Sequence, residues 1–129
     1  MPVVKQLTVT LDNRPGALAE LCSELAKVAV NIQAIQASEA GALSPVRLIV
    51  SQVEPAKRVC DYLRLKWAEN EVVAVRVGDR PGALGRVTRK LAEKGINIEY
   101  LYGTIERGSR QALIVIGVKN AEAAARVAK

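Results

Sequence analysis

Two short loops of this chain combine residue types that suit the binding of a small charged ligand. They read Asn13-Arg14-Pro15-Gly16-Ala17-Leu18 and Asp79-Arg80-Pro81-Gly82-Ala83-Leu84. Glycine lacks a Cβ, so a ligand can approach the backbone closely at Gly16 and Gly82. The free N–H groups of a helix's first turn favour a carboxylate or phosphate, and Asp79 can pair with an ammonium. The same pattern is also that of an ordinary helix start, in which Asn or Asp is a cap.

Catalytic chemistry finds little support in the sequence. The chain has no histidine, which removes the commonest general base, the usual partner of a nucleophilic Ser or Cys, and most zinc sites. Cys22 and Cys60 fall on apolar helical stripes and are predicted to be small core residues. No nucleophile is paired with a base. We therefore expect a protein that is not an enzyme and has no metal or cofactor.

The formal net charge is +6, and the basic residues cluster locally at Arg86, Arg89, Lys90 and Lys94. We interpret this cluster as a solvated helix face, although basic proteins also bind nucleic acid. The chain has no apolar run near the ~20 residues that a membrane span needs, and its first residues do not read as a signal peptide. A cytoplasmic protein with no membrane partner is expected.

An internal repeat organises the chain. The first loop recurs as the second, and Val30-Asn31-Ile32 recurs as Ile96-Asn97-Ile98 at the same spacing. Leu48-Ile49-Val50 matches Leu113-Ile114-Val115 at a spacing shorter by one, which suggests that a hairpin lost one residue. Three such matches in order indicate a duplication. We predict a first domain over residues 1–70 and a second over residues 71–129.

The first copy reads as strand, helix, strand, strand, helix, strand. Apolar residues alternate over 5–11, as in a strand with one buried face, and Pro15 suits the first position of the helix that follows. Strands are predicted over 31–38, 46–51 and 72–77. The second helical stripe consists of Ala56, Val59, Cys60, Leu63 and Trp67. Because each helix has a single apolar stripe, an α+β, ferredoxin-like βαββαβ fold is predicted, with an antiparallel sheet and both helices on one face.

The second copy begins on the strand that ends the first, because 72–77 leads directly into its loop. Its helix is predicted over Pro81–Lys94 and is ended by Gly95. The remaining elements are strands over 96–105 and 112–118, a turn at Arg107-Gly108-Ser109, and a last helix over 121–128. This copy has no fourth strand of its own. Either the sequence is cut short or the shared strand serves both sheets.

The sheets of the two copies differ in polarity. Gln6, Thr8 and Thr10 give the first sheet a polar outer face, whereas residues 113–116 are apolar on both faces, as in strands covered on both sides. The second copy is therefore expected to pack against another sheet. Together with the missing strand, this predicts a homodimer or a higher homo-oligomer, with a mostly apolar interface around the second copy.

In their order, these motifs resemble the ACT domain, in which a strand, an Asp-Arg-Pro-Gly-Ala-Leu loop, an amphipathic helix and Ile-Asn-Ile follow one another. The resemblance covers both copies and nearly the whole chain. It is strongest to stand-alone tandem-ACT proteins, whose second copy carries Ile-Glu-Tyr-x-Tyr, here Ile98-Glu99-Tyr100-Leu101-Tyr102. The resemblance implies a regulatory module that binds an amino acid or a similar metabolite at interfaces between paired domains.

In serine-binding members of the family, two asparagines and backbone amides around the glycine contact the ligand. Leu11 and Val77 stand where those members have a polar ring residue, which argues against serine itself. The matching asparagine positions are Asn13 and Asn31 in the first copy and Asp79 and Asn97 in the second. The full set of expected ligand-binding residues is Asp79, Arg80, Gly82, Ala83, Leu84, Asn97 and Tyr100, with Asn13, Gly16, Ala17, Leu18 and Asn31 in the first copy.

We interpret the chain as a non-catalytic, amino acid-binding module for allosteric regulation, acting through an oligomer or a partner protein. The alternative is a ferredoxin-like nucleic-acid-binding protein. Sheets of that kind display aromatic residues for base stacking, whereas this chain has no Phe and pairs aromatic residues on a strand only at Tyr100 and Tyr102. Because one unit is filled by its own core, we expect a site that joins the Asp79 loop of one unit to Asn97 of another.

Overall fold

A computed structural model describes residues 2–105, 108 and 110–127. The described residues form β1 (Val3–Asp12), α1 (Ala17–Lys27), β2 (Ile32–Ala37), β3 (Leu43–Val50), α2 (Val53–Tyr62), β4 (Lys66–Gly78), α3 (Ala83–Glu93), β5 (Tyr100–Ile105), β6 (Gln111–Gly117) and α4 (Ala121–Val127). Two compact units are present: one is Lys5–Asn70, and the other runs from Glu71 onward and includes the opening residues up to Val4. The predicted turn residues Arg107 and Ser109 lie outside the described residues.

The first unit has the predicted ferredoxin-like arrangement. Its strands neighbour one another in the order β2-β3-β1-β4, and β3 pairs antiparallel with both β1 and β2. Alternate residues of β1 pack against both helices in one core, which includes Leu7, Val9, Leu21 and Val59. Full burial of such a side chain stabilises the fold by roughly 1.5–3 kcal/mol. The prediction that both helices lie on one face is confirmed for this unit.

The second unit places the opening residues of the chain beside β4. Its strands neighbour one another in the order β4-β6-β5, and the backbone N–H of Ala74 donates to the carbonyl oxygen of Pro2 at 3.1 Å. Val3 packs against the same core as Val75 and Leu91. The second copy has no fourth strand of its own within its sequence, and the first residues of β1 occupy that position.

The end of α2 differs from the prediction. The helix stops at Tyr62, Arg64 adopts a left-handed conformation with φ 58°, and the N–H of Leu65 donates to the carbonyl of Cys60 at 2.9 Å, which is a helix-terminating turn. Trp67 lies in β4, so its assignment to the helix was wrong. Leu63, Leu65 and Trp67 all pack on the first core, although the chain changes from helix to strand between Leu63 and Lys66.

The strand register corrects one part of the repeat. Leu7 is the partner of Leu48, and its counterpart in the second copy, Val73, is the partner of Ile116. Leu48 therefore corresponds to Ile116, not to Leu113. The sequence match of Leu48 with Leu113 differs from this register by an odd number of residues, which would place each side chain on the opposite face of the sheet. Leu48 and Ile116 instead both lie in helix-covered cores. The second hairpin has gained two residues relative to the first rather than lost one.

In each unit, a residue that faces away from the helices is nonetheless buried. Gln6 is fully buried, although it was assigned to a polar outer face, and Val115 is 1% exposed. The ring of Tyr100 lies so close over Gly117 that no Cβ fits there. The prediction that residues 113–116 are covered on both sides agrees with the burial of Val115 and Ile116.

Candidate ligand site

The two repeated loops share one backbone conformation. Gly16 has φ 88° and Gly82 has φ 86°, a left-handed conformation that residues with a Cβ rarely adopt. Each glycine is the N-cap of its helix, so α1 begins at Ala17 and α3 at Ala83. The sequence pattern had predicted that both helices begin at the preceding prolines. Glycine is thus required for its φ angle. A Cβ at Gly82 would still meet nothing within 4 Å, so the space outside it is open.

Hydrogen bonds hold both loops against the neighbouring hairpin. The N–H of Asn13 donates to Ala42 at 2.9 Å, and the N–H of Asp79 donates to Arg110 at 2.7 Å. The first turn of α3 closes when Arg86 donates to the carbonyl of Gly82 at 3.1 Å. Within the described part of the chain, the N–H groups of Leu84 and Gly85 have no backbone acceptor, so they stay available to an anion.

Asn13 and Asp79 have different roles at the same position of the repeat. The side-chain amide of Asn13 donates to the carbonyl oxygen of Gly41 at 2.8 Å, which ties the first loop to its hairpin. An ionised Asp carboxylate has no proton to donate, so Asp79 cannot make this bond. The Asn13 side chain therefore holds the first loop against its hairpin, whereas the second loop presents a carboxylate at the same position.

The arginines of the two loops differ in the same way. Arg14 forms ion pairs with Asp12 at 3.9 Å and with Glu20 at 3.5 Å. At the positions that correspond to these carboxylates, the second unit has Gly78 and Arg86. The guanidinium of Arg80 instead lies over Gly78, where a Cβ would be 2.5 Å from Nη1. Among the described residues, no carboxylate forms an ion pair with Arg80.

A pocket of about 340 Å³ opens beside Asp79 and Arg80. Its deeper wall is apolar because alternate residues of β5 and β6 face α3, and three of the loop residues complete its rim. The lining residues are Val77, Gly78, Asp79, Arg80, Leu84, Leu101, Gly103, Thr104, Ala112 and Ile114. The lining thus combines an acidic and a basic side chain with several apolar ones, a combination that suits an amino acid with a hydrocarbon side chain.

The first unit has a cavity of similar size with a different lining. It measures about 350 Å³ and includes Asp12, Arg14, Ala17 and Glu20 of the loop region. Here Arg14 forms ion pairs with Asp12 and Glu20, and the turn from α2 into β4 adds Arg64 and Lys66 to the lining. The two cavities therefore differ in the loop arginine: Arg14 is ion-paired in the first unit, whereas no carboxylate among the described residues forms an ion pair with Arg80.

Several expected ligand residues lie away from the pocket of the second unit. Asn97 follows the C-terminal end of α3, an 11-residue helix that is about 16 Å long, so it is not near Asp79 in the same unit. In the first unit, Asn31 likewise follows the C-terminal end of α1, so it is not near Asn13. Tyr100 lies on the sheet face opposite to Leu101 and hence opposite to the pocket, because side chains alternate along a strand.

The apolar lining residues Leu101, Ala112 and Ile114 were not among the residues predicted from the sequence. Apolar residues alternate visibly along these strands in the sequence. Because the sequence match paired Leu48 with Leu113, however, residues 112–116 were compared with the wrong positions of the first copy. Ala83 is buried under the loop, whereas Leu84 is 38% exposed at the pocket rim. Leu18, its counterpart in the first unit, is 37% exposed, and Ala17 is buried.

Cys60 does not have the surroundings of a nucleophile. Cys60 is buried in the first core, and this burial raises the pKa of its thiol from 9.0 to about 11. Cys22 is half-buried on α1. No helix in the described parts of the chain is long and apolar enough to cross a membrane. Across the same residues, no three His, Cys, Asp or Glu side chains are grouped so that they could hold a metal ion.

Comparison with known proteins identifies the class of this fold. Residues 2–128 match the family described as an ACT domain pair, and the chain belongs to that family. It is similar to the crystal structure of protein BT0572 from Bacteroides thetaiotaomicron, with 30% sequence identity, a TM-score of 0.90, and coverage of 97% of this chain and 85% of that one. Among curated proteins, none matches the chain.

Two more distant structures share the fold. The regulatory subunit of aspartate kinase from Thermus thermophilus has 17% identity and a TM-score of 0.66, over 98% of this chain and 95% of that one. The corresponding subunit from Thermus flavus has 18% identity and a TM-score of 0.60, over 99% and 95%. ACT domains are ligand-binding regulatory modules, and the chain has the architecture of such a pair.

Proposed function

We propose that this chain is a non-catalytic, cytoplasmic regulatory protein that binds an amino acid in the pocket of its second unit. Asp79 and Arg80 at the mouth of an apolar cavity carry the proposal. The α-carboxylate would be held by the Arg80 guanidinium and the N–H groups at the start of α3, and the ammonium by Asp79. Charge-assisted hydrogen bonds of this kind are among the strongest in proteins.

The lining of the cavity favours an aliphatic amino acid over a polar one. A polar ligand side chain would face Val77, Leu101 and Ile114, and it would lose its hydrogen bonds to water without replacement. A branched or straight hydrocarbon side chain would instead gain burial at ~25 cal/mol per Å². We therefore expect leucine, isoleucine, valine or methionine to bind more tightly than serine or aspartate.

We further propose that a second chain completes the site and that the protein is a homodimer or a higher homo-oligomer. The pocket is open, and the asparagines that precede β2 and β5 lie at the far ends of their helices from the loops. In this arrangement, Asn97 or Asn31 of the second chain reaches a ligand held by the Asp79 loop. Because linkage is reciprocal, a ligand that bridges two chains must strengthen their association. Sedimentation that is unchanged by saturating ligand would overturn this part of the proposal.

A thermal-shift screen against the twenty amino acids tests the proposed function. A ligand at 100 times its Kd adds about 2.7 kcal/mol to stability, which raises the Tm of a domain of this size by several degrees. We expect the aliphatic amino acids to give the largest shifts, and the matching hydroxy acids, which lack the ammonium, to give smaller ones. If no amino acid at millimolar concentration shifts the Tm, the proposed ligand class is wrong.

A further inference from the structure

Gly78 is a glycine that its own backbone conformation does not require. It is the last residue of β4 and is paired with Gln111 of β6, and its φ is not in the left-handed region. Glycine in a strand is less stable than alanine, and it often marks a place where another group approaches the backbone closely. A close contact, rather than a φ angle, is therefore the physical reason to look for at this position.

The side chain of Arg80 fills the space that a side chain at residue 78 would need. A Cβ there would be 2.5 Å from Nη1, 3.3 Å from Cζ and 3.8 Å from Cγ of Arg80. Non-bonded heavy atoms attract each other best at about 3.5–4.0 Å, so Nη1 could not keep its place beside a methyl group. The Arg80 guanidinium thus lies against the backbone of Gly78 at a distance that only glycine allows.

The corresponding position of the first copy carries a carboxylate. Asp12 occupies it, and this carboxylate forms an ion pair with Arg14 at 3.9 Å. Gly78 has no charge to offer, and no carboxylate among the described residues forms an ion pair with Arg80. The residue at this position of the repeat therefore separates an ion-paired loop arginine from one that lies on the backbone beside a pocket.

We propose that Gly78 is a positioning residue for Arg80: because it lacks a side chain, the guanidinium can lie over the backbone where both residues line the pocket. The inference rests on the proposed function, since the position of Arg80 affects binding only if Arg80 contacts the ligand. A binding group must be held within about 0.5 Å of its productive position. A Cβ at residue 78 would move Nη1 by about 1 Å, which exceeds that tolerance.

Alanine at residue 78 tests the positioning. Gly78→Ala, Arg80→Ala and the double variant are each titrated with L-leucine by isothermal titration calorimetry, as full chains. In Gly78→Ala we expect Kd to rise at least about fivefold, but no more than in Arg80→Ala. The double variant should bind leucine as Arg80→Ala does, because Gly78 acts only through Arg80 and the two effects are not additive.

The melting temperature separates positioning from a structural role. Only the far end of a flexible side chain has to move in Gly78→Ala, and alanine is more favourable than glycine in a strand. Its Tm should therefore not fall below that of wild type, although its Kd rises. Asp12→Ala is the matched control, since it places the same residue at the corresponding position of the first unit. Its Kd for leucine should stay within about twofold of wild type.

Ligand-free crystal structures of wild type and Gly78→Ala give a readout that does not depend on binding. We expect Nη1 of Arg80 to lie over Gly78 in wild type and to be displaced in the variant. Should leucine not bind to wild type, that failure concerns the proposed function, and the two structures still decide the position of Arg80. An Arg80 guanidinium that lies away from Gly78, an unchanged Kd in Gly78→Ala, or a further loss when Gly78→Ala is added to Arg80→Ala would overturn the proposal.

Discussion

The backbone N–H of Ala74 donates a hydrogen bond of 3.1 Å to the carbonyl oxygen of Pro2, which brings the opening of the chain against a strand from its middle. The residues up to Val4 belong to the second compact unit, and Val3 packs on its core. The second ACT-type unit is therefore completed by residues that precede the first one in sequence.

Deleting residues 2–4 should destabilise the second unit selectively. The N–H of Ala74 loses its acceptor, and the core loses the side chain of Val3. By hydrogen–deuterium exchange, we expect peptides from β4 and β6 to exchange at least about tenfold faster, which corresponds to about 1.4 kcal/mol of local opening free energy. Peptides from β2 and β3 serve as the internal control. Unchanged exchange in β4 and β6 would show that these residues add no stability.

Valine at the two left-handed glycines should separate folding from binding. Gly16→Val and Gly82→Val each force a side chain into a positive φ, which costs roughly 1–2 kcal/mol and lowers the Tm of both variants. Only Gly82 belongs to the loop that contributes Asp79, Arg80 and Leu84 to the pocket of the second unit, so only Gly82→Val should lose ligand binding. If both variants bind the amino acid as wild type does, the site lies elsewhere.

Cys60 should resist alkylation and should make stability depend on pH under alkaline conditions. Burial raises the pKa of its thiol from 9.0 to about 11, so the thiolate forms more readily in the unfolded chain than in the folded one. Stability is therefore unaffected by Cys60 below about pH 9, and it falls as the pH rises toward 11. The loss should shrink in Cys60→Ala and persist in Cys22→Ala. At pH 8.5, iodoacetamide should modify Cys22 first; equal rates would contradict the assigned burial.

Much of the fold follows from local patterns, and what could not be predicted depends on tertiary contacts. Gly95 was expected to end α3, and it adopts φ 70° just after the helix. Arg64 follows α2 in the same conformation without being glycine, so no stop signal marked the end of that helix. The partnership of Pro2 with Ala74 joins distant segments that no periodicity connects. The sequence does contain the reason why Arg80 lacks the ion pairs of Arg14, because Asp12 and Glu20 have no acidic counterparts in the second copy.

The proposed site requires that a charged end of the ligand binds at Arg80, whereas its counterpart Arg14 is used within the first loop. Isothermal titration of the amino acid with the largest thermal shift into wild type, Arg80→Ala and Arg14→Ala tests this directly. We predict that Kd rises at least about tenfold for Arg80→Ala, as expected for loss of a charge-assisted contact worth about 1.5–3 kcal/mol. For Arg14→Ala we predict a Kd within about twofold of wild type. Equal affinity of all three proteins, or a larger loss in Arg14→Ala, would contradict the proposed site.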